Sequence, residues 1–338
     1  MESLTISELK ALLDTHAVKY TTRMRKDALI QLLANTPAEV HATTTTTVDP
    51  SVTPTRFAYV TLVMNVSASF TPDRYVPGAL VVGHALRRLG TRFDTVCMHD
   101  GTLAEASLTA LRAVFTRVLQ VETRCDPSTP PMLSERQRTL YSSWINWSYT
   151  KWQCLRLHDY ERVCFLDADV VPVVCPDTLF DLPAPAACFS VMDRFNQRPF
   201  YTTAEGPVPG DTIWKALHST GMVGAGCVMV LPTGGDYDGW MCDVWPRMRA
   251  GMRMRCGPDE ASVTMYMLEH GHQWYNLHDR WGVHQKWPTD DVAIMTYTGE
   301  FKPWEVARDR WTDLKMFYDA ADALVADHPT LRSFYPHL

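Results

Sequence analysis

Several common features are missing from this chain of 338 residues, and each absence argues against a class of protein. No apolar run approaches the roughly 18 residues that a membrane-spanning helix needs, and the opening MESLTISELK shows no signal-peptide pattern. The nine cysteines contain no C-x-x-C pair, which argues against a disulfide framework and against a structural zinc site. The sequence therefore predicts a cytoplasmic protein that is not secreted, with nuclear association as an alternative.

An excess of basic residues is also missing. The formal net charge is −6 at pH 7, which argues against a general nucleic-acid binder. The net charge does not exclude a local basic patch. Hydrophobic residues make up 46% of the chain and tryptophan occurs 11 times, so a sizeable core can form. This length fits one large domain with an appendage, or two medium domains.

The first 36 residues read as a unit of their own. Leucines at helical spacing in SELKALLDTHAV and the apolar stretch in RKDALIQLLA predict two short helices around the basic turn KYTTRMRK. This pattern resembles the SAP/HeH class of helical modules, whose members often contact DNA. We expect residues 1–36 to make a weak DNA contact or a protein contact, and a solvated charged hairpin is equally compatible.

Residues 37–55 contain five consecutive threonines and three prolines, which predicts a flexible linker. From residue 56 strand and helix patterns alternate, beginning with FAYVTLVM, GALVVGHALRRL and RFDTVCM. This rhythm predicts an α/β domain over 56–305, a mostly parallel sheet flanked by helices. A C-terminal helical tail over 306–338 would cover the domain or support a homodimer.

The stretch VCFLDADVVPV, residues 163–173, ends an apolar strand with two carboxylates, Asp167 and Asp169. On a continuing strand both side chains would share a face, and at roughly 5 Å they would repel by about 3 kcal/mol at an effective dielectric constant near 20. A divalent cation that holds a diphosphate would offset this, because Mg²⁺ and Mn²⁺ prefer a few carboxylates plus substrate phosphate oxygens. Solvated aspartates in a turn are the alternative from these residues alone.

This strand and its flanks resemble glycosyltransferase family 8, the glycogenin and galactinol synthase group. The run TKWQCLRLHDYERVCFLDADVVPVVCPDTLFDLP is similar to the galactinol-synthase-like version, and YVTLVMN, GAGCVMVLP, PDEASVTMY, WYNL and GEFKPW follow in the family's order over residues 57–305. The resemblance implies a GT-A fold, a Rossmann-like nucleotide-diphospho-sugar transferase. It implies a retaining enzyme that uses Mn²⁺, or Mg²⁺, to move a hexose (glucose, galactose or N-acetylglucosamine) from a UDP-sugar to a sugar, polyol or protein acceptor.

The resemblance also assigns roles to individual positions. The nucleotide-sugar-binding positions that it implies are Leu62, Asn65, Tyr75, Lys151, Asp167, Ala168, Asp169, Gly224, Ala225, Gly226, Gly299 and Lys302. The resemblance implies that Asp167 and Asp169 bind the metal and that Asp193, Asp259 and Lys302 are catalytic. From the residues alone, each position also has a plain structural interpretation. Lys151 is compatible with an exposed lysine on a helix, Lys302 with a charge at a strand edge and Tyr75 with an aromatic residue of the core.

Three departures from the family pattern bear on activity. Thr296 stands where the family has a histidine as third metal ligand, and a hydroxyl is a poorer ligand than imidazole. A water or a nearby group such as His284 or Asp291 would complete the shell, or metal affinity falls. Gly224 replaces the asparagine of the family's N-A-G segment, and Glu260 replaces the glutamine that follows the acidic residue.

Two other functions stay open at this point. The departures suit a catalytically weakened domain that binds a nucleotide sugar or serves as an interaction module. The N-terminal module joined to the acidic pair suits a DNA-associated metal nuclease, which the acidic net charge and the transferase-like segments disfavour.

Overall fold

The computed structural model describes residues 56–65, 71–127, 134–192, 199–201, 204–221, 224–250, 254–284, 290–310 and 314–338, together with Lys26, Met132 and Met252. The chain divides into two compact units, Met1–Thr53 and Pro54–Leu338. Lys26 alone is described in the first unit, so the helical module of 1–36 and the linker of 37–55 lie outside the described residues.

Strands and helices alternate through the second unit. The strands are β1 Phe57–Val63, β2 Asp94–His99, β3 Arg117–Gln120, β4 Arg162–Leu166, β5 Val170–Pro172, β6 Ala186–Met192, β7 Pro199–Tyr201, β8 Gly206–Val208, β9 Gly224–Pro232, β10 Trp274–Asn276, β11 Val283–His284 and β12 Ile294–Thr296. The α-helices are α1 Val76–Arg88, α2 Glu105–Val114, α3 Glu135–Tyr141, α4 Gly210–Thr220, α5 Tyr237–Asp243, α6 Trp245–Met248, α7 Pro258–Glu269 and α8 Lys315–Asp327. Stretches of 3₁₀ helix cover Ile145–Arg156, Pro176–Asp181, Asp279–Gly282, Pro303–Glu305 and Pro329–Phe334.

The central sheet has the strand order β3-β2-β1-β4-β9-β6-β10-β8, with β7 beside β6. Strands β3, β2, β1 and β4 pair in parallel, as do β6 and β10, whereas β9 is antiparallel to both of its neighbours. Strands β11, β12 and β5 form a second, small sheet. The predicted α/β class with flanking helices is confirmed. Because the strand order changes direction at β1, the carboxyl ends of β1 and β4 border a crevice.

Residues of β1 alternate between the two faces of the sheet, as a strand between two apolar layers requires. Ala58, Val60 and Leu62 are buried in a cluster with the 3₁₀ helix Ile145–Arg156 and helix α7. Val63 is buried in a different cluster, which α1 and α8 share. The Trp-rich segment SWINWSYTKWQCLRL, whose sequence pattern predicts a helix, forms 3₁₀ helix over Ile145–Arg156.

The C-terminal tail packs against α1 within the same compact unit. Phe317 and Tyr318 of α8 are buried, and the His84 Nε2 atom on α1 lies 2.9 Å from the Asp327 Oδ2 atom. The Tyr335 hydroxyl donates to the Pro77 carbonyl at 2.7 Å. These contacts fix the beginning of α1, which lies over the candidate site.

Two further findings bear on the sequence expectations. All nine cysteines are described and none is paired in a disulfide. Among the described residues, no helix is long and apolar enough to cross a bilayer.

Candidate functional site

The two aspartates lie in a turn between β4 and β5. The Asp167 N–H donates to the Cys227 carbonyl on β9 at 3.0 Å, and the Asp169 carbonyl accepts from the Tyr297 N–H at 2.9 Å. Of the two arrangements that the sequence left open, a continuing strand and a turn, the aspartates adopt the turn. The strand stops at Leu166, and the turn directs the two carboxylates toward different lysines.

Each aspartate of the turn forms an ion pair with a buried or nearly buried lysine. Lys151 Nζ lies 2.8 Å from Asp167 Oδ1, and Lys302 Nζ lies 2.5 Å from Asp169 Oδ2. Lys302 also donates to the Tyr297 carbonyl at 3.1 Å. Burial disfavours both ammonium charges, but the neighbouring carboxylates raise the pKa of each lysine above its usual value. Both lysines are therefore charged at neutral pH.

Lys151 also connects the turn to helix α7. Its Nζ atom lies 3.4 Å from Asp259 Oδ2, and the Asp259 side chain is only 4% exposed. The indole N–H of Trp152 donates to the Asp259 carbonyl at 2.8 Å, which fixes the first turn of α7 against the 3₁₀ helix. Within the described residues the Asp259 Oδ2 atom accepts no hydrogen bond. This oxygen is buried, and the Lys151 ammonium group is its ion-pair partner.

The carboxylate of Glu260, the next residue of α7, accepts hydrogen bonds from two backbone N–H groups. Its Oε1 atom accepts from the Gly226 N–H at 2.8 Å, and its Oε2 atom accepts from the Gly257 N–H at 2.7 Å. Burial, followed by the charge of Asp259, raises the pKa of Glu260 to about 7. A side chain at Gly226 would press on this carboxylate, because an added Cβ would lie 2.8 Å from Glu260 Cγ. Glu260 therefore ties the start of β9 to the start of α7.

The cluster holds more negative than positive charge. Asp167, Asp169 and Asp259 form ion pairs with the ammonium groups of Lys151 and Lys302. The Glu260 carboxylate, next to Asp259 in the chain, contacts backbone N–H groups, and burial raises the pKa of Asp167 to about 6. Asp167 and Asp169 carry carboxylate oxygens of the kind that Mg²⁺ and Mn²⁺ take together with substrate phosphates. No group of three His, Cys, Asp or Glu side chains in the described part of the chain could hold a metal ion.

Thr296, at the position of the family's histidine, does not complete that donor set. It lies fully buried on β12, where its hydroxyl faces the Cys227 thiol and meets no oxygen or nitrogen partner among the described residues. The backbone of His284 pairs with Thr296 in register, but the His284 side chain lies outside the described part. Asp291 forms an ion pair with Arg280 at 3.1 Å.

Three of the predicted nucleotide-sugar-binding residues, Leu62, Asn65 and Tyr75, lie in β1 or shortly after it. Leu62 is buried near the end of the strand. The Asn65 amide is engaged by Asp73, with its Oδ1 atom accepting from the Asp73 N–H and its Nδ2 atom donating to the Asp73 carboxylate, both at 2.8 Å. The Tyr75 ring centroid lies 5.6 Å from Lys302 Nζ and 5.9 Å from the Trp304 ring. The structure thus brings Tyr75 to the lysine side of the site.

The remaining predicted residues are distributed around this centre. Gly224, Ala225 and Gly226 begin β9, beside β6 and α7. Gly299 has a φ of 124°, which favours glycine, and begins the segment that carries Lys302. Asp193 lies outside the described residues.

Sequence reasoning missed the residues that fix this segment. Arg74 binds both oxygens of Glu305, with Nε–Oε1 at 2.5 Å and Nη2–Oε2 at 2.9 Å, and also donates to the Glu300 carbonyl at 2.7 Å. The Glu305 carboxylate also accepts from the Lys302 N–H at 2.9 Å. The spacing of Lys302 and Glu305 fits a helix cap, but no sequence signal pointed to Arg74.

Gly78 of α1 lets that helix contact the aspartate turn. A Cβ atom at this position would lie 2.1 Å from the Ala168 carbonyl oxygen and 2.5 Å from the Trp304 ring. We expect Gly78→Ala to destabilise the protein by about 1–3 kcal/mol through overpacking, measured as a shift of the urea unfolding midpoint. Gly210→Ala at the start of α4 is the matched control, because its Cβ would meet Leu268 at an ordinary 3.6 Å. Equal destabilisation by both variants would contradict the close approach of α1.

No family model matches the chain, but individual sequences do. It is 22% identical to an uncharacterized protein of Acanthamoeba polyphaga mimivirus over 73% of this chain and 82% of that protein. A putative UDP-glucuronate:xylan alpha-glucuronosyltransferase 5 of Arabidopsis thaliana is 29% identical over 43% of this chain. Glycogenin of Neurospora crassa is 29% identical over 53% of this chain. The chain spans only 23% and 21% of the lengths of the latter two proteins.

Solved structures give the fold. The galactosyltransferase LgtC, in complex with donor and acceptor sugar analogs, matches with a TM-score of 0.51 and 16% identity over 82% of this chain and 99% of that one. An active-site mutant of LgtC matches with a TM-score of 0.52. The chain therefore has the fold of GT-A glycosyltransferases and is related in sequence, at low identity, to glycosyltransferases of the glycogenin type.

Proposed function

We propose that this chain is a glycosyltransferase that moves a hexose from a UDP-sugar to an acceptor hydroxyl. The observation that carries the proposal is the double ion pair at the carboxyl end of β4, Asp167 with Lys151 and Asp169 with Lys302. Ligands of such sheets bind at this edge, and a crevice with two ammonium groups and surplus carboxylates suits a diphosphate that arrives with a divalent cation. The glycosyltransferase relatives support the same conclusion.

The chain's own residues have separable tasks in this proposal. Lys302 stabilises the negative charge that collects on the departing diphosphate, a preorganised electrostatic contribution. Asp167 and Asp169 hold Mn²⁺ or Mg²⁺, which when bound supplies Lewis-acid stabilisation of the same phosphate oxygens. Asp259, whose carboxylate pairs with Lys151, contacts the transferred sugar, and Glu260 keeps the start of β9 at a fixed distance from Asp259.

The charge distribution favours a neutral hexose over a uronic acid. Asp259 and Glu260 lie together at the start of α7, and Lys151, the ammonium group beside them, is already paired with two carboxylates. A uronate carboxylate placed there would add a further negative charge at short range in a partly buried site. We therefore propose UDP-glucose, UDP-galactose or UDP-N-acetylglucosamine as the donor class rather than UDP-glucuronate.

The pKa of Glu260 makes this preference depend on pH. Because that pKa is raised to about 7, Glu260 is largely protonated at pH 6 and largely ionised at pH 8. The uronate is ionised at both pH values, so repulsion grows as the pH rises. We expect the parent to bind the best neutral UDP-hexose about tenfold more tightly than UDP-glucuronate at pH 8, and the ratio to shrink at pH 6.

Titration calorimetry at the two pH values measures this ratio. Glu260→Gln removes the titrating group and should make the ratio independent of pH, which separates the effect from titration elsewhere. Equal affinity for UDP-glucuronate and the neutral donors at pH 8 would contradict the charge argument.

Activity is tested by incubating the pure protein with Mn²⁺ and each UDP-hexose. Mass spectrometry would then follow transfer to sugars, to polyols and to the protein itself. Release of UDP, abolished by chelator and by Asp167→Asn with Asp169→Asn, is the expected result. Absence of both UDP-sugar binding and UDP release would refute the proposal.

One observation favours a second candidate, a domain that binds a nucleotide sugar without turning it over. The buried hydroxyl of Thr296 faces Cys227 and stands where a metal-binding histidine is the family pattern. UDP-sugar binding without detectable transfer or hydrolysis, over all acceptors tried, would support this alternative.

A further inference from the structure

Arg74, two residues before helix α1, contacts the segment that carries Lys302 at two points. Its guanidinium group binds both carboxylate oxygens of Glu305, with Nε–Oε1 at 2.5 Å and Nη2–Oε2 at 2.9 Å, and donates to the Glu300 carbonyl at 2.7 Å. These two partners lie on either side of Lys302 in the chain. A planar guanidinium group holds a carboxylate by two parallel hydrogen bonds, which an ammonium group cannot do. Arg74 therefore fixes the backbone on both sides of Lys302.

Glu305 connects Arg74 to the backbone of Lys302 itself. Its carboxylate accepts from the Lys302 N–H at 2.9 Å, and its own N–H donates to the Lys302 carbonyl at 3.0 Å. Burial opposes the negative charge of Glu305, but hydrogen bonds from Arg74 and from the Lys302 N–H outweigh burial and lower the pKa of Glu305. The ion pair is therefore charged at neutral pH.

The backbone that leads into Arg74 is fixed in turn. Asp73 adopts a left-handed φ of 58°, and its carboxylate accepts from the Asn65 amide at 2.8 Å and from the Ser107 hydroxyl at 2.6 Å. These contacts join the chain after β1 to the beginning of α2. Arg74 thus extends toward the Lys302 segment from a rigid base.

The chain directly after Lys302 is anchored in the core. Pro303 and Trp304 are buried, and the Tyr318 hydroxyl donates to the Pro303 carbonyl at 3.1 Å. Phe301, directly before Lys302, is 49% exposed. Loss of Arg74 should therefore loosen the chain before Lys302 while the core contacts after it persist.

We propose that Arg74 is a positioning residue that holds the Lys302 ammonium group, through Glu305, where the diphosphate of the donor binds. The inference rests on the part of the proposed function in which Lys302 faces the diphosphate. The Lys302 side chain is fixed at its end by Asp169, and Arg74 fixes the backbone from which that side chain extends. Both ends must be held for the charge to be preorganised.

The test compares UDP affinities by calorimetry, with Mn²⁺, for the parent, Arg74→Met and Arg74→Lys. We expect Arg74→Met to weaken UDP binding about tenfold, because a displaced ammonium group loses much of its contact with the diphosphate. Arg74→Lys keeps the charge but cannot bind both oxygens of Glu305, so its affinity should lie between the other two. Arg56→Met breaks a similar bidentate pair, with Glu161, at the opposite end of β1, and should leave UDP binding unchanged.

A double variant shows whether the effect passes through Lys302. In a Lys302→Met background the ammonium group is already absent, so Arg74→Met should weaken UDP binding no further. Urea unfolding curves establish that the compared proteins are folded, and if Arg74→Met is not folded, Arg74→Lys takes its place. An equal loss of affinity in both backgrounds would overturn the inference, since Arg74 would then act on the fold and not on Lys302.

The outcomes separate the inference from the proposed function. A parent that binds no UDP and releases none from UDP-glucose refutes both. A parent that binds UDP but transfers no sugar refutes the proposed transfer alone, because the Arg74 comparison is made on UDP binding. Equal UDP affinities of the parent and the folded Arg74 variants refute the Arg74 assignment alone.

Discussion

Replacing Lys302 with methionine should lower the rate of UDP release from the preferred UDP-hexose by about 100- to 1,000-fold. Removal of one preorganised charge partner at a developing oxyanion has an effect of this size. Lys302 is almost fully buried, and its ammonium group is fixed by Asp169 and the Tyr297 carbonyl, so it needs little reorganisation when the diphosphate leaves. Methionine keeps most of the volume of the side chain and removes the charge.

Lys315→Met is the matched control, because Lys315 is an exposed lysine that also forms an ion pair with an aspartate, Asp319. It should leave UDP release unchanged. Steady-state kinetics at saturating donor, with unfolding curves for both variants, make the comparison. A Lys302→Met enzyme that is folded and keeps more than about a third of the parental rate would contradict the role of Lys302.

Replacing Lys151 with methionine should lower the free energy of unfolding by about 3 kcal/mol. Lys151 is 16% exposed and contacts both Asp167 and Asp259, so its loss leaves two poorly solvated carboxylates without a cation. The figure is at the low end of the usual range because the Asp167 side chain is still 26% exposed. Urea unfolding in metal-free buffer measures the loss.

A double variant tests the cause of this loss. Lys151→Met with Asp259→Asn removes one of the stranded charges and should recover part of the stability, a coupling that independent sites would not show. Arg56→Met, which breaks the exposed pair with Glu161, should leave the unfolding midpoint unchanged. Strictly additive effects of the Lys151 and Asp259 changes would contradict the ion-pair account.

Apolar patterning carried enough information to predict the scaffold. The stretches FAYVTLVM and GAGCVMVLP became β1 and β9, because β-branched and apolar residues there are buried on both faces of a sheet. The Trp-rich segment was harder to predict. Its tryptophans and tyrosines are placed by contacts distant in the sequence, such as Trp152 with the Asp259 carbonyl, and the segment forms 3₁₀ helix.

The site was predictable only as far as local motifs reach. The acidic pair stands out in the short stretch VCFLDADVVPV, and Lys302 follows from the family resemblance. The pairing of each aspartate with a particular lysine depends instead on where β4 stops. Arg74 reaches the site from an element far away in the sequence, so no local spacing identifies it. The antiparallel position of β9, which supplies Gly226 to Glu260, is likewise a property of the sheet order.

We propose that the Asp167 and Asp169 turn binds the diphosphate of a UDP-sugar through a divalent cation. The most direct test is calorimetric titration of UDP into the parent and into the Asp167→Asn, Asp169→Asn double variant, each with and without Mn²⁺. The account predicts that the parent binds UDP in Mn²⁺, that chelation weakens binding at least tenfold, and that the folded double variant shows no such dependence on the metal. UDP binding of equal strength in all four titrations, or none in the parent, would contradict it.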